Sequence, residues 1–271
     1  MLSAYRYAIH AFAYSDTGRV RRMNEDSFII ADLTQELGID SSGGLKFESG
    51  PKGSLLAVAD GMGGAAAGEM ASRLSLNCLY NEILRLFKGI RRSDSESLDQ
   101  VLIDAVGSAN RRVYDIGSSN FEYGGMGTTL TAVLETQGRL AIGQIGDSRA
   151  YLFRDQDIRQ LTRDQSLVAQ RVSSGELTEE EARNHPERNI LLQALGVKPT
   201  VELCITNTIV HPGDAILLCS DGLHAQMSPE EINEIVLNSP SEQDACFELV
   251  GLANDRGGPD NITAVLARFF L

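Results

Sequence analysis

The order in which two hydrophobic periods follow one another limits the fold more than any other feature of the chain. Short β-type runs come first, at 8–16 (AIHAFAYSD), 26–32 (DSFIIAD) and 54–60 (SLLAVAD). Two long stretches of helical period follow. In 68–88 Ala71, Leu74, Cys78, Ile83 and Leu86 recur at steps of three to five. In 97–116 Leu98, Val101, Leu102, Ala105, Ala109, Val113 and Ile116 do so more strictly. Strands return at 128–135, 139–146, 149–154, 201–210 and 214–221, then helices at 228–237 and 241–253, and a last strand at 261–269. The third helix opens with SPEE, a capping serine, a proline at the first helical position and acids in the first turn. Tight polar turns such as ETQGR and RDQD join several strands, the mark of antiparallel meanders. Strands and helices come in blocks rather than alternating singly, which argues against βαβ units. The expected class is α+β: a four-layer α-β-β-α sandwich of two mainly antiparallel β-sheets packed face to face and flanked by helix pairs.

No linker or internal repeat divides the 271 residues, so a single domain over 1–271 is expected. The low-complexity stretch 38–53 (GIDSSGGLKFESGPKG) is expected to be a long hairpin loop. The polar, helix-prone segment 162–196 is expected to be a surface flap subdomain. Cys78, Cys204, Cys219 and Cys246 have no CxxC spacing and lie in apolar surroundings, so buried thiols in a reducing compartment are expected. A net charge of -13 has the wrong sign for gripping nucleic acid or an anionic membrane surface. No apolar run approaches the roughly 20 residues of a membrane span. The opening residues turn polar too soon for a signal peptide, so a cytoplasmic protein is expected.

Chemistry concentrates first in residues 55–74, LLAVADGMGGAAAGEMASRL. Gly61-Met62-Gly63-Gly64-Ala65-Ala66 formally matches the dinucleotide fingerprint G-x-G-x-x-A between a strand and a helix. Against it, Asp60 would oppose a pyrophosphate, the next strand with its ribose-binding acid is missing, and no Walker lysine follows. A carboxylate beside a glycine-freed backbone could equally hold a metal ion, or the stretch could be a plain glycine-rich turn. Four further clusters carry an aspartate at a strand end or tight turn: NED (24–26), GDSR (146–149), SDGL (220–223) and GPDN (258–261). Each alone is ordinary turn chemistry. Together they point to an oxygen-rich site for hard cations, with no histidine or cysteine ligand in view.

With NED, DGMGG, GTT, GDSR, SDGL and GPDNIT in this order, the chain resembles the metal-dependent, type 2C (PPM) Ser/Thr protein phosphatase family, in particular its bacterial members. The resemblance covers nearly the whole chain, from SDTGRVRRMNEDSF to GGPDNITAVLARF. It implies hydrolysis of phosphoserine and phosphothreonine in proteins by direct attack of a hydroxide bridging two Mn2+ or Mg2+ ions, without a phosphoenzyme. It implies that Asp60 bridges both ions, that the Gly61 carbonyl ligates one, and that Asp221 and Asp260 complete the other. A third, weaker ion is implied at Asp147 with Asp221. Glu25 and Asp26 would hold metal-bound waters, while Arg21 and Asn261 would bind the substrate phosphate. Thr128 and Thr129 would support the core beneath. The implied partners are phosphorylated proteins, substrates of Ser/Thr kinases, and a monomer is expected. Met62, Ala65 and the DQS of 164–166 depart from histidines frequent in the family, which leaves the general acid unassigned. His224 is expected to be a partly exposed loop residue. The alternative is a catalytically silent member of the fold serving as a binding or regulatory module.

Overall fold

The computed structural model describes residues 7–89, 97–183 and 185–271. The strands are β1 (Ala8–Asp16), β2 (Asp26–Asp32), β3 (Leu37–Ile39), β4 (Gly43–Glu48), β5 (Ser54–Met62), β6 (Gly127–Thr128), β7 (Leu130–Thr136), β8 (Arg139–Ile145), β9 (Arg149–Arg154), β10 (Asp157–Gln160), β11 (Cys204–Ile209), β12 (Ala215–Cys219) and β13 (Ile262–Phe270). The helices are α1 (Ala65–Gly89), α2 (Leu98–Ser119), α3 (Leu167–Ser173), α4 (Glu179–Arg183), α5 (Asp221–His224), α6 (Pro229–Asn238) and α7 (Glu242–Asp255). One sheet runs β10-β9-β12-β13-β1-β4 and the other β11-β8-β7-β5-β2-β3, with β6 paired to the end of β5. Every pairing among the described residues is antiparallel.

Three apolar layers separate the four layers of structure. Leu56, Val58, Phe28 and Ile30 of one sheet meet Ile216, Leu218, Val265 and Ala267 of the other. The alternate residues Leu55, Ala57, Ala59 and Ile29 turn outward against α1 and α2. On the far side Leu217, Cys219, Ala264 and Leu266 meet α6 and α7. These strands are buried on both faces, so they read as continuous apolar runs rather than as alternation. The helix starts are local chemistry. Ser228 accepts from the Glu231 amide while Glu231 reaches back to the Ser228 amide, a complete capping box for α6.

The expected 38–53 loop is instead largely strand. Residues 37–39 form β3 against β2, and 43–48 form β4, which crosses to the other sheet and pairs with β1. Its side chains alternate between half-buried and exposed, with Leu45 and Phe47 packed on the inter-sheet core, a period-2 signal hidden by the flanking glycines and serines. The hairpin partner β10 was not expected, because only Ile158 of its four residues is apolar. Cys219 and Cys246 are buried as expected, but Cys78 is half-buried and Cys204 is exposed on the edge strand β11.

Candidate metal and phosphate site

Strand parity delivers the site residues to one end of the sandwich. Asp60 continues the inter-sheet face of Leu56 and Val58, and Asp26 that of Phe28 and Ile30. The two aspartates stand directly opposite each other in the β2–β5 ladder. Asp221 follows β12, Asp260 precedes β13 and Asp147 lies in the β8–β9 turn. Where the apolar filling stops, Arg21, Glu25, Asp60, Gly61, Asp147, Asp221, Asp260 and Asn261 line one cavity of about 230 Å3. Asp26 lines a separate cavity beside β2.

The backbone of Asp60 is latched from beneath. Its amide donates to the Thr129 hydroxyl (2.9 Å), and its carbonyl accepts from the Thr129 amide (2.8 Å) and the Thr128 hydroxyl (2.9 Å). Thr129 also bonds the Ser148 hydroxyl at 2.7 Å, tying the loop of Asp147 to the strand of Asp60. Thr129→Val should therefore cost about 1–3 kcal/mol by stranding the buried Asp60 amide and Ser148 hydroxyl, measured as a lowered urea midpoint with unchanged slope. Gly61 is required by crowding: a Cβ there would collide with the Gly68 carbonyl at the start of α1.

Six acidic groups, Glu25, Asp26, Asp60, Asp147, Asp221 and Asp260, meet at this end, with the Arg21 guanidinium beside them. Arg21 donates to Asp260 at 2.6 Å with its side chain half exposed. Burial, reinforced by Asp26, Asp221, Asp147 and Asp260, holds the Asp60 carboxyl well above the usual carboxylate range. Burial raises Asp147 well above it too, with Asp221 and Asp164 adding repulsion. Asp221 is pushed up to about 6 by burial and Asp260, although a hydrogen bond from Asp60 draws it back. Its Oδ1 is buried with no partner. Asp26 is pushed up to about 7 by burial despite accepting from Ser220 (2.7 Å) and Thr263 (2.6 Å), and its Oδ1 is also unpartnered. Among the described residues no three His, Cys, Asp or Glu side chains already close into a finished coordination shell. The donor set nonetheless fits hard cations. It is all oxygen, it repels itself, and it holds orphaned lone pairs that a divalent ion and its waters would satisfy.

One of two further side chains does other work than expected. Both amide hydrogens of Asn261 go to the carbonyls of Thr17 and Met23 at 2.9 Å, and its oxygen accepts from the Glu25 amide at 2.8 Å. Asn261 therefore braces the 17–25 loop that carries Arg21, with no hydrogen left for a phosphate. His224 is half-buried and shares a 3.0 Å hydrogen bond with the Asp147 carbonyl. Burial and nearby Arg149 depress it to about 3, so it is neutral at physiological pH.

The flap contributes Asn189 and Leu191 to the cavity wall, which sequence reasoning missed because neither sits in a recognisable motif. Its first residues are pinned. Asp164 takes a two-pronged contact from Arg149 (2.7 and 3.0 Å), and Gln165 exchanges hydrogen bonds with both the amide and the carbonyl of Gly146. The DQS segment thus fastens the flap to the Asp147 turn.

The protein phosphatase 2C family model matches residues 40–266. A serine/threonine phosphatase, stp, of Listeria innocua is 36% identical over 264 residues, which are 95% of each chain. This chain belongs to the protein phosphatase 2C family. It is a protein serine/threonine phosphatase. The crystal structure of the Mycobacterium tuberculosis phosphatase PstP/Ppp superposes with a TM-score of 0.81 at 36% identity, covering 97% of this phosphatase and 100% of that chain. The catalytic domain of PstP in complex with two manganese ions gives 0.78 at 35%, covering 98% and 100%. In sequence this phosphatase spans 44% of the M. tuberculosis PstP protein at 38% identity.

Proposed function

We propose that the cavity between Arg21 and Asp60 is the catalytic centre, where phosphoserine and phosphothreonine of protein substrates are hydrolysed with Mn2+ or Mg2+. The observation that carries this reading is the convergence of Asp60, Asp147, Asp221 and Asp260 on one cavity, with the first three held above the usual range by burial and mutual repulsion. Asp60, the Gly61 carbonyl, Asp221 and Asp260 would hold two ions, with Asp147 and Asp221 at a third, weaker one. Glu25 and Asp26 would accept hydrogen bonds from the surrounding water. Bound there, divalent cations offset the charge of a phosphate dianion and make water acidic enough to supply hydroxide near neutral pH.

The chain's own residues position and exclude. Arg21 presents a planar fork at the cavity rim, suited to two phosphate oxygens at once, on a loop held in place by Asn261. No cysteine lines the cavity, and burial pushes the Cys219 and Cys246 thiols up to about 12. Both facts favour direct attack by water over a phosphocysteine route. With His224 neutral and Met62 in the loop, neither of these positions supplies a proton to the leaving alcohol. Residues 162–196 serve as a flap on a single domain, with Asn189 and Leu191 meeting the substrate. A net charge of -13 favours a protein partner over nucleic acid or an anionic membrane, and no described helix is long and apolar enough to cross a membrane. We take the protein to be a monomer in the cytoplasm. Retention of every carboxylate disfavours a silent module.

Two measurements test these assignments. Calorimetric titration with Mn2+ should give at least two sites in the wild type and a loss of affinity in Asp221→Asn; unchanged binding would contradict the ligand set. Arg21→Ala should raise KM for a phosphothreonine peptide by about tenfold or more with kcat little changed, as expected for lost ground-state binding. A fall in kcat at constant KM would reassign Arg21 to the transition state alone.

A further inference from the structure

Strand β2 has an edge that the sheet leaves open. The Gly61 amide bonds the Glu25 carbonyl, and the Leu33 amide bonds the Gly53 carbonyl, so odd-numbered residues of β2 exchange hydrogen bonds with β5. Even-numbered residues therefore point their backbone groups the other way, toward β3. There Ile30 and Asp32 meet Ile39 and Leu37, but pairing stops at Ile39 because the chain leaves to build β4 in the other sheet. Continuing the register would set Ser41 opposite Phe28, and no such pair forms. The Asp26 amide, next along this edge, is capped by the Asn24 side chain at 3.1 Å. Among the described residues no partner faces the N–H and C=O of Phe28 on this side, although buried backbone groups almost always have one.

Between the diverging strands lies a cavity of about 380 Å3, lined by Asn24, Asp26, Ser27, Phe28, Asp40 and Ser41 on its two sides and roofed by α1 through Glu69, Arg73 and Asn77. Arg73 faces Glu69 at 3.6 Å, which leaves Asp40 and the negative charge of the whole chain in excess. We propose that this fork is a second peptide-binding site, where a short extended segment of a basic partner protein adds to β2 as a strand. Its backbone pairs with the N–H and C=O of Phe28, and its lysine or arginine side chains meet Asp40. Strand addition of this kind draws affinity from main-chain hydrogen bonds and selectivity from the flanking side chains. An open edge left next to charged residues rather than next to apolar ones is also protected against indiscriminate pairing.

The test uses the whole protein and a capped heptapeptide of alternating lysine and valine, followed by calorimetry and by hydrogen exchange at the Phe28 amide. Binding should slow that exchange at least tenfold. A version N-methylated on alternate amides and a version with glutamate for lysine should each bind at least tenfold more weakly. Asp40→Lys should weaken the lysine peptide severalfold while leaving p-nitrophenyl phosphate hydrolysis unchanged, which also certifies its fold. No binding up to millimolar peptide, binding without slower exchange at Phe28, or equal binding of the glutamate peptide would each overturn the proposal.

Discussion

Asp60→Ala abolishes turnover: phosphate release from a phosphothreonine peptide falls at least about a thousandfold, on the order of 4 kcal/mol of barrier. The loss comes from metal charge and not from the fold. Thr128 and Thr129 grip the backbone of residue 60, not its carboxylate, so the latch survives the substitution. Without the carboxylate, a buried acid that Asp26, Asp221, Asp147 and Asp260 all oppose is gone, at the cost of the hydrogen bond that Asp60 gives Asp221. The metal-free variant should accordingly melt at or above the wild-type temperature while binding Mn2+ far more weakly. An inactive variant that had also unfolded would point to a structural cause, and one that kept a tenth of its activity would remove Asp60 from the centre of the site.

Metal-free protein loses stability as pH rises from about 4 to about 7. In the folded state Asp221 titrates at about 6 and Asp26 at about 7, both raised first by burial, against 3.8 for an ordinary aspartate. Between those values the folded chain binds more protons than the unfolded one. The stability these groups contribute is thus whole below about pH 4 and is lost as pH climbs through the folded values. The loss is on the order of a few kcal/mol, shared among coupled groups. Cations occupying the cavity would take over the role of those protons. Urea midpoints in chelator should fall across this window, midpoints in Mn2+ should fall much less, and the gap should widen with pH. A metal-free midpoint that rises with pH instead would show that these carboxylates are already well paired.

Most of the architecture was legible because apolar runs and helical periods are long-range signals that the core must satisfy. Residues 54–60 and 68–88 lie within β5 and α1, and 98–116 within α2, which Ser97 caps. The crossing at 37–48 was not legible. Gly43, Gly44 and the serines around them read as loop, while the half-buried alternation that makes β4 a strand exists only against β1. In the site, the aspartates were visible because a carboxylate at a strand end is a local pattern. What surrounds them was not. The supports of Asp26, Ser220 and Thr263, sit roughly two hundred residues away in sequence, and the wall residues Asn189 and Leu191 come from a flap with little regular structure. Asn261 shows the limit from the other side: its place beside Asp260 was right, but only the carbonyls of Thr17 and Met23 reveal a brace.

The most direct test strips the purified protein with chelator, adds a phosphothreonine peptide, and measures phosphate release before and after Mn2+ is restored. Release should be negligible in chelator and return with added Mn2+, and neither Asp60→Ala nor Asp221→Ala should recover it. Full release in chelator, or none with Mn2+ restored, would contradict a metal-dependent centre built on these carboxylates.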